Sequence, residues 1–432
     1  MGQDQSDQAN PLSQYGQIYI KLTRSCYQPG QQVYGDTYLN LTKAFPGNEL
    51  ILKCKGIESA WFQEREEQTK TVDGVTRREI TPVYHRATRT IIKTKNIVHN
   101  WKDKEEIPPS QYIFPFTFLL PQAIPNTFYQ KGGKNESNMY EAQVSYSIKA
   151  CLKSNNKQVS NLFHRIPLVI VDPKAGSTIS CSQMMAFPIH TCWCFSRGAV
   201  FISCLLEKSS YRPGETVKGT VEINNLDCNV AINRVNLQIC QHLRIKSQTQ
   251  KQKNFRFIIS ALQYRGIGQN QAVKGKNALA IEAKIPRSAG RSGSLLSKNK
   301  GDQTLESTMI GEFIDSQYFI EIFLEMGSWS YFGDQPRLVL PLTVYDSNLE
   351  ETDAEPQVKK PKNWNPTINE LAVISLTNAS AETELPSSSA SNLVKMSGEL
   401  MSKNTGLTHR GERKEEEIVT SKSVSNDKMK TE

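Results

Sequence analysis

A nineteen-residue stretch that the chain contains twice constrains its fold more than any other feature. Leu22 to Asn40, LTRSCYQPGQQVYGDTYLN, returns 184 positions later as Leu206 to Asn224, LEKSSYRPGETVKGTVEIN. Eight of the 19 positions are identical: Leu22/Leu206, Ser25/Ser209, Tyr27/Tyr211, Pro29/Pro213, Gly30/Gly214, Val33/Val217, Gly35/Gly219 and Asn40/Asn224. The shared residues include those with restricted or special backbone geometry. Proline fixes φ at the first corner of a turn, and glycine accepts the positive φ that follows. Pro29, Gly30, Pro213 and Gly214 are therefore read as structural turns. Ile18, Ile20 and Leu22 before the first turn, and Val33, Tyr38 and Leu41 after it, fit a half-buried strand. Each copy reads as strand, Tyr-x-Pro-Gly turn, strand.

The echo continues in order. Ser145 to Leu152, SYSIKACL, is answered by Gln317 to Leu324, QYFIEIFL, and Pro167 to Asp172, PLVIVD, by Pro341 to Asp346, PLTVYD. The offsets shrink from 184 to 172 and 174, as two copies of one domain with unequal loops would require.

Between these blocks the pattern stays strand-like. Leu50-Ile51-Leu52 with Cys54 and Ile57 follows a Pro46-Gly47-Asn48 turn, and Thr88 to Val98 alternates. Polar residues 63–78 lie between them and carry Asp73-Gly74, a hairpin signal. Phe114, Phe116 and Phe118 lie two apart and should face one core, while Pro115 and Pro121 require a sheet edge or strand end. No convincing amphipathic helix is present in this half. In the second half, Val235, Leu237 and Ile239, then Leu279, Ile281, Ala283 and Ile285, repeat the alternation.

In order, the Tyr-x-Pro-Gly blocks, Phe114 to Pro121 (FPFTFLLP) and SYSIKACL resemble the amino-terminal arrestin domain. Gly198 to Asn224 resembles the start of the carboxy-terminal one, and Cys192-Trp193-Cys194 just before it resembles the cysteine-tryptophan stretch of α-arrestins. The resemblance covers roughly Tyr15 to Ser347. It implies an all-β protein of two immunoglobulin-like antiparallel β-sandwiches in tandem. The expected boundaries are a flexible terminus at 1–14, a first sandwich at 15–172, a linker at 173–198, a second sandwich at 199–347 and a disordered tail at 348–432.

The same resemblance implies a non-enzymatic cytosolic adaptor that binds membrane-protein cargo and links it to endocytic, sorting or ubiquitination machinery. Its place would be the cytoplasm, peripheral to plasma membrane or endosomes. A retromer-like cargo-sorting subunit shares the two-sandwich plan. A cell-surface adhesion sandwich, with glycans at Asn40 and Asn135, is the reading of another class. Nine cysteines without a regular frame and no apolar signal core in Met1 to Asn10 oppose it.

Charge is uneven. Between Arg244 and Lys300 there are 13 Lys and Arg against one acid, Glu282. Lys246, Lys251, Lys253 and Arg256 are therefore candidate contacts for acidic membrane or phosphate, with a solvated basic face as the plain alternative. Nucleic acid is not expected, because no aromatic stacking platform accompanies the charges. Met1-Gly2-Gln3-Asp4-Gln5-Ser6 fits the pattern for myristoylation of Gly2, as a polar terminus can by coincidence.

The catalytic inventory is short: six scattered histidines and no nucleophile elbow, P-loop or H-E-x-x-H. No catalytic residue, metal or cofactor is expected. Cys181, His190, Cys192 and Cys194 have ligand chemistry for zinc but poor spacing, and packing or acylation in the linker is the expected role.

The tail lacks the P-P-x-Y motif that α-arrestins often carry there. The nearest sequences, Pro108 to Tyr112 and Thr81 to Tyr84, lie in the first domain. Trp364 to Leu376, WNPTINELAVISL, is the tail's one apolar patch, and reads as a linear motif or a segment that folds back on a sheet edge.

Overall fold

The repeated stretch folds the same way both times in the computed structural model, which describes residues 12–72, 75–102, 105–133, 139–171, 180–191, 195–286, 305–327, 335–345 and 361–376. Gly30 and Gly214 sit at φ +76° and +94°, the left-handed region that the proline-glycine corners require. Their amides donate to carbonyls just beyond the strand that pairs with the second arm of each copy, Pro121 O and Ile285 O, which differ by one residue in register. Tyr27 and Tyr211 are each 1% exposed, and each belongs to a two-residue strand that runs parallel to the last strand of its domain.

The first half contains β1 (Leu12–Ser13), β2 (Gly16–Leu22), β3 (Cys26–Tyr27), β4 (Gln32–Leu41), β5 (Glu49–Val72), β6 (Val75–Asn100), β7 (Ser110–Leu119), β8 (Phe128–Gly132), β9 (Tyr140–Lys153) and β10 (Leu162–Ile170). The second contains β11 (Cys181–Thr191), β12 (Phe195–Leu206), β13 (Ser210–Tyr211), β14 (Thr216–Asn224), β15 (Ile232–Lys246), β16 (Gln252–Ile267), β17 (Ala272–Val273), β18 (Leu279–Lys284), β19 (Met309–Ile310), β20 (Ile314–Met326) and β21 (Arg337–Val344). Two short strands follow, β22 (Thr367–Ile368) and β23 (Ala372–Val373). Among the described residues the one helical piece is the 3-10 turn Gly275–Asn277. No helix among them is long and apolar enough to cross a membrane.

The first sandwich pairs a β1-β2-β4-β7 sheet with a β3-β10-β9-β5-β6 sheet that also carries β8 on β9. The second repeats this plan: β11-β12-β14, with β17 and β18 both on β14, faces β13-β21-β20-β15-β16 with β19 on β20. The matched tyrosines of the second echo keep the same role. Tyr146 donates to Pro125 O at 2.7 Å and Tyr318 to Glu306 O at 2.6 Å. Each sandwich encloses its own core, and Phe114, Phe116 and Phe118 are all buried in the first. Each such ring contributes about 1.5–3 kcal/mol by leaving water.

One stretch differs from expectation, and two others follow signals that the sequence carried. Residues 181–191, expected in the linker, form β11, a hairpin partner of β12. Cys181, Met185 and Phe187 on its inner face pack against the second core, and Pro188 points outward on what is an edge strand. The polar residues on both sides of Asp73-Gly74 continue β5 and β6 as one long hairpin. Beyond Phe62, β5 pairs with β6 alone, so no buried face imposes apolar alternation there. Finally, within the tail expected to lack structure, 361–376 is ordered against the first sandwich, as the sheet-edge reading of Trp364 to Leu376 had it.

Candidate functional site

A sheet edge must either be covered or be left open to another strand. β7 presents such an edge because Pro115 has no backbone N–H and suits a strand bordered by β4 on one side only. The tail fills the other side. Thr367 and Ile368 lie beside Tyr112 and Ile113 in parallel register, and Ala372 and Val373 beside Phe116 and Thr117. The ladder breaks between these two pieces, opposite Pro115.

Side chains and backbone both hold the segment. Asn369 N–H donates to Ile113 O at 2.9 Å and Ile374 N–H to Thr117 O at 2.8 Å. Asn365 N–H donates to the Gln111 side chain at 2.7 Å. Trp364 lies 6.3 Å from the Tyr38 ring, and Ile374 is buried in the first core. At the far end Thr94 Oγ1 donates to Ser375 O at 3.0 Å. Ile368 and Val373 remain exposed. The segment is thus an extended peptide bound by main-chain bonds with a few anchoring side chains, the manner in which sheet edges take partner strands.

Of the candidate basic residues of the second sandwich, Lys251 and Lys253 reach the first, whereas the contacts of Arg256 and Lys246 lie within the second. Lys251 pairs with Glu66 at 3.2 Å, and Lys253 Nζ donates to Gln63 O at 2.7 Å. Burial lowers the Lys253 pKa against the field of Glu64. Arg256 is bound to Glu321 at 2.6 Å, a hydrogen bond that raises its own pKa. Lys246 N–H donates to Phe313 O at 2.8 Å. The Phe255 ring lies tilted 4.3 Å from that of Tyr140 and Gln248 N–H donates to Arg86 O, so the β15-β16 hairpin docks on the first sandwich.

One junction residue escaped the sequence reading. Glu58 is fully buried on β5 and accepts hydrogen bonds from Arg89 Nε at 2.6 Å, Phe313 N–H at 2.8 Å and Ile314 N–H at 3.0 Å. Arg89 also reaches Glu312 at 2.8 Å. The available signal was parity: Glu58, Ala60 and Phe62 alternate into the core, and an acid at an inward position demands partners.

The remaining sequence candidates are placed as follows. Gly2, Cys192, Cys194 and Asn135 lie outside the described residues. Cys181 and His190 sit nine positions apart on β11, about 30 Å along a strand and too far to share one ion. The tyrosines of the two partial P-P-x-Y matches, Tyr84 and Tyr112, belong to strands β6 and β7.

Known proteins match this arrangement. The arrestin (or S-antigen) N-terminal domain matches residues 16–172, and the arrestin (or S-antigen) C-terminal domain residues 196–349. Together they cover about seven tenths of the chain. Arrestin domain-containing protein A of Dictyostelium discoideum is 24% identical over 208 residues, which is 48% of this chain and 34% of that protein. The match therefore spans about a third of the relative's length. With two matched domains in tandem, each folded as its own sandwich, the chain belongs to the arrestin family and is α-arrestin-like.

Proposed function

We propose that this arrestin-type adaptor binds cytosolic segments of membrane-protein cargo and links them to endocytic, sorting or ubiquitination machinery, working in the cytoplasm against plasma membrane or endosomes. What supports this reading is the β7 edge, which takes an extended segment in parallel register through main-chain bonds. Main-chain bonding gives affinity with little demand on sequence, which suits a protein that recognises tails of different cargo. Arrestin-family proteins are non-enzymatic adaptors, so recognition, not catalysis, is the activity proposed.

Proximity labelling with the full chain in living cells tests it. The expected products are membrane proteins with cytosolic tails together with coat, sorting or ubiquitin-ligase components. Labelling confined to soluble proteins outside these classes overturns the reading.

A further inference from the structure

The sheet that takes the tail is almost without charge. Across β1, β2, β4, β7, β22 and β23 there are two charged residues, Lys21 and Asp36, and they stand directly opposite each other on β2 and β4. The matching sheet of the second sandwich carries Arg197, Lys218, Glu222, Glu282 and Lys284 on β12, β14 and β18. Low charge is therefore a property of this one sheet and not of its place in the sandwich.

Where charge is missing, the outward positions are aromatic and aliphatic. Tyr19, Tyr38, Ile113 and Ile368 form one row across four strands, and the Trp364 ring lies 6.3 Å from that of Tyr38. Four positions along β4, Tyr34 stands opposite Thr117, which has Val373 on its other side. Tyr34, Leu119, Ile368 and Val373 are all exposed. The buried centres of protein interfaces are depleted in charge and enriched in tyrosine and tryptophan, and an exposed apolar patch of this extent marks a contact surface.

We infer that this face binds its counterpart on a second copy of the chain, sheet against sheet about a two-fold axis. The chain carries net charge +9, so two copies repel each other in most orientations, and a partner drawn by charge would settle on a basic surface instead. This face is net neutral, and a two-fold axis can set Lys21 of one copy against Asp36 of the other, twice. The face is about 33 Å long, the ten residues of β4, and about 19 Å wide, four strands across. Two copies then cover on the order of 1,200 Å², the lower bound of a specific interface. Facing sheets pack about 10 Å apart with their strands within about 30° of each other, which the common twist of two identical sheets provides. The tail contributes Ile368 and Val373, so its attachment widens the face by one strand. The inference concerns the face of the sheet and does not rest on what the β7 edge binds.

Sedimentation velocity of the full chain over a concentration series tests it, and a reversible equilibrium between monomer and dimer is expected. Tyr34→Lys with Val373→Lys puts like charges on both sides of the contact and should weaken the dimer at least tenfold. Tyr34→Glu with Val373→Glu should do the same, and weakening by both signs separates the face from a change in net charge. Both side chains are exposed, so the melting temperature should change little in either pair. An equimolar mixture of the lysine and glutamate chains should recover dimer, because opposite charges then face each other. Ile258→Lys with Ile310→Lys alters two exposed isoleucines of the second sandwich and should shift the dimer constant less than twofold.

A chain that stays monomeric at every concentration overturns the inference. So does a dimer that neither face pair weakens, or that the second-sandwich pair weakens equally. Failure of the mixture to recover dimer means that the contact is not this face against itself, and overturns the two-fold arrangement. Capture of a different protein by a monomeric chain, lost in Tyr34→Lys with Val373→Lys, assigns the face to another partner and likewise overturns the second copy.

Discussion

Glu58 in the first sandwich accepts the backbone N–H of Phe313 in the second at 2.8 Å, across 255 positions of sequence. Its carboxylate also takes Ile314 N–H and Arg89, so one buried acid terminates donors from both sandwiches. Gly311 permits the approach, since a Cβ there would stand 2.3 Å from Glu58 Oε1. Glu58→Ala should cost about 3 kcal/mol, because it leaves the two buried amides of Phe313 and Ile314 without an acceptor and takes from Arg89 its partner at Nε. Glu58→Gln keeps one acceptor oxygen and should cost about 1–2 kcal/mol. Urea denaturation of the full chain measures both, and Gly311→Ala should resemble the alanine variant.

Acid should weaken the second sandwich through Glu321. Burial works to raise its carboxyl, but hydrogen bonds from His242 and Arg256 and the charges of Arg256 and Arg337 overcome this and hold it at about 2. A depressed folded-state value means that the contribution is complete above the ordinary value near 4.5 and is lost as pH falls toward 2. The amount is on the order of 3 kcal/mol. The stability gap between the natural chain and Glu321→Gln should therefore be widest near pH 6 and close between pH 5 and 2. A gap that stays constant over that range would show that the anion contributes nothing.

What the sequence disclosed was whatever depends on neighbours along the chain. The Pro29-Gly30 and Pro213-Gly214 corners, the inward Phe114, Phe116 and Phe118, and the pairing of β5 with β6 all follow from local geometry or period-two spacing. What it concealed depends on lateral pairing. Residues 244–300 look one-signed, yet Asp315, Glu321 and Glu66, which neutralise Arg244, Arg256 and Lys251, come from other strands. Lys53, Lys95, Lys149 and Arg165 look unremarkable in the sequence and become one row only when β5, β6, β9 and β10 align.

Three buried cysteines, Cys54, Cys204 and Cys240, should be chemically quiet in the folded chain. None of the seven described cysteines is in a disulfide, and burial pushes Cys54 and Cys204 up to about 12 and Cys240 to about 11. The thiolate is the nucleophile, and at pH 8 a thiol near 12 is ionised in roughly one molecule in ten thousand. Iodoacetamide at pH 8 should leave Cys54, Cys204 and Cys240 unmodified in the native protein and alkylate all three in denaturant. Peptide mass spectrometry reads the difference, and rapid native labelling of Cys54 would mean that the first core opens readily.

Ile374 decides whether the tail stays on the β7 edge. It is 5% exposed and packs in the first core, whereas its neighbour Val373 is 76% exposed and Ala372 and Leu376 pack against that core only in part, so this is the segment's one buried apolar side chain. The strands themselves are two residues each, too short to persist on main-chain bonds alone. Ile374→Ala should weaken attachment by about 2–4 kcal/mol, and Ile374→Asp, which would place an unpartnered carboxylate in the core, should release the segment. Hydrogen exchange on the full chain reads this directly. The amides of Asn369 and Ile374, protected by Ile113 O and Thr117 O, should exchange slowly in the natural chain and at the rate of an unstructured peptide in Ile374→Asp. The β2-β4 ladder should keep its protection in both, because it does not depend on the tail. Slow exchange at Asn369 in the aspartate variant would mean that Trp364 and the Asn369 side chain hold β22 by themselves, and that the edge is closed by two independent anchors.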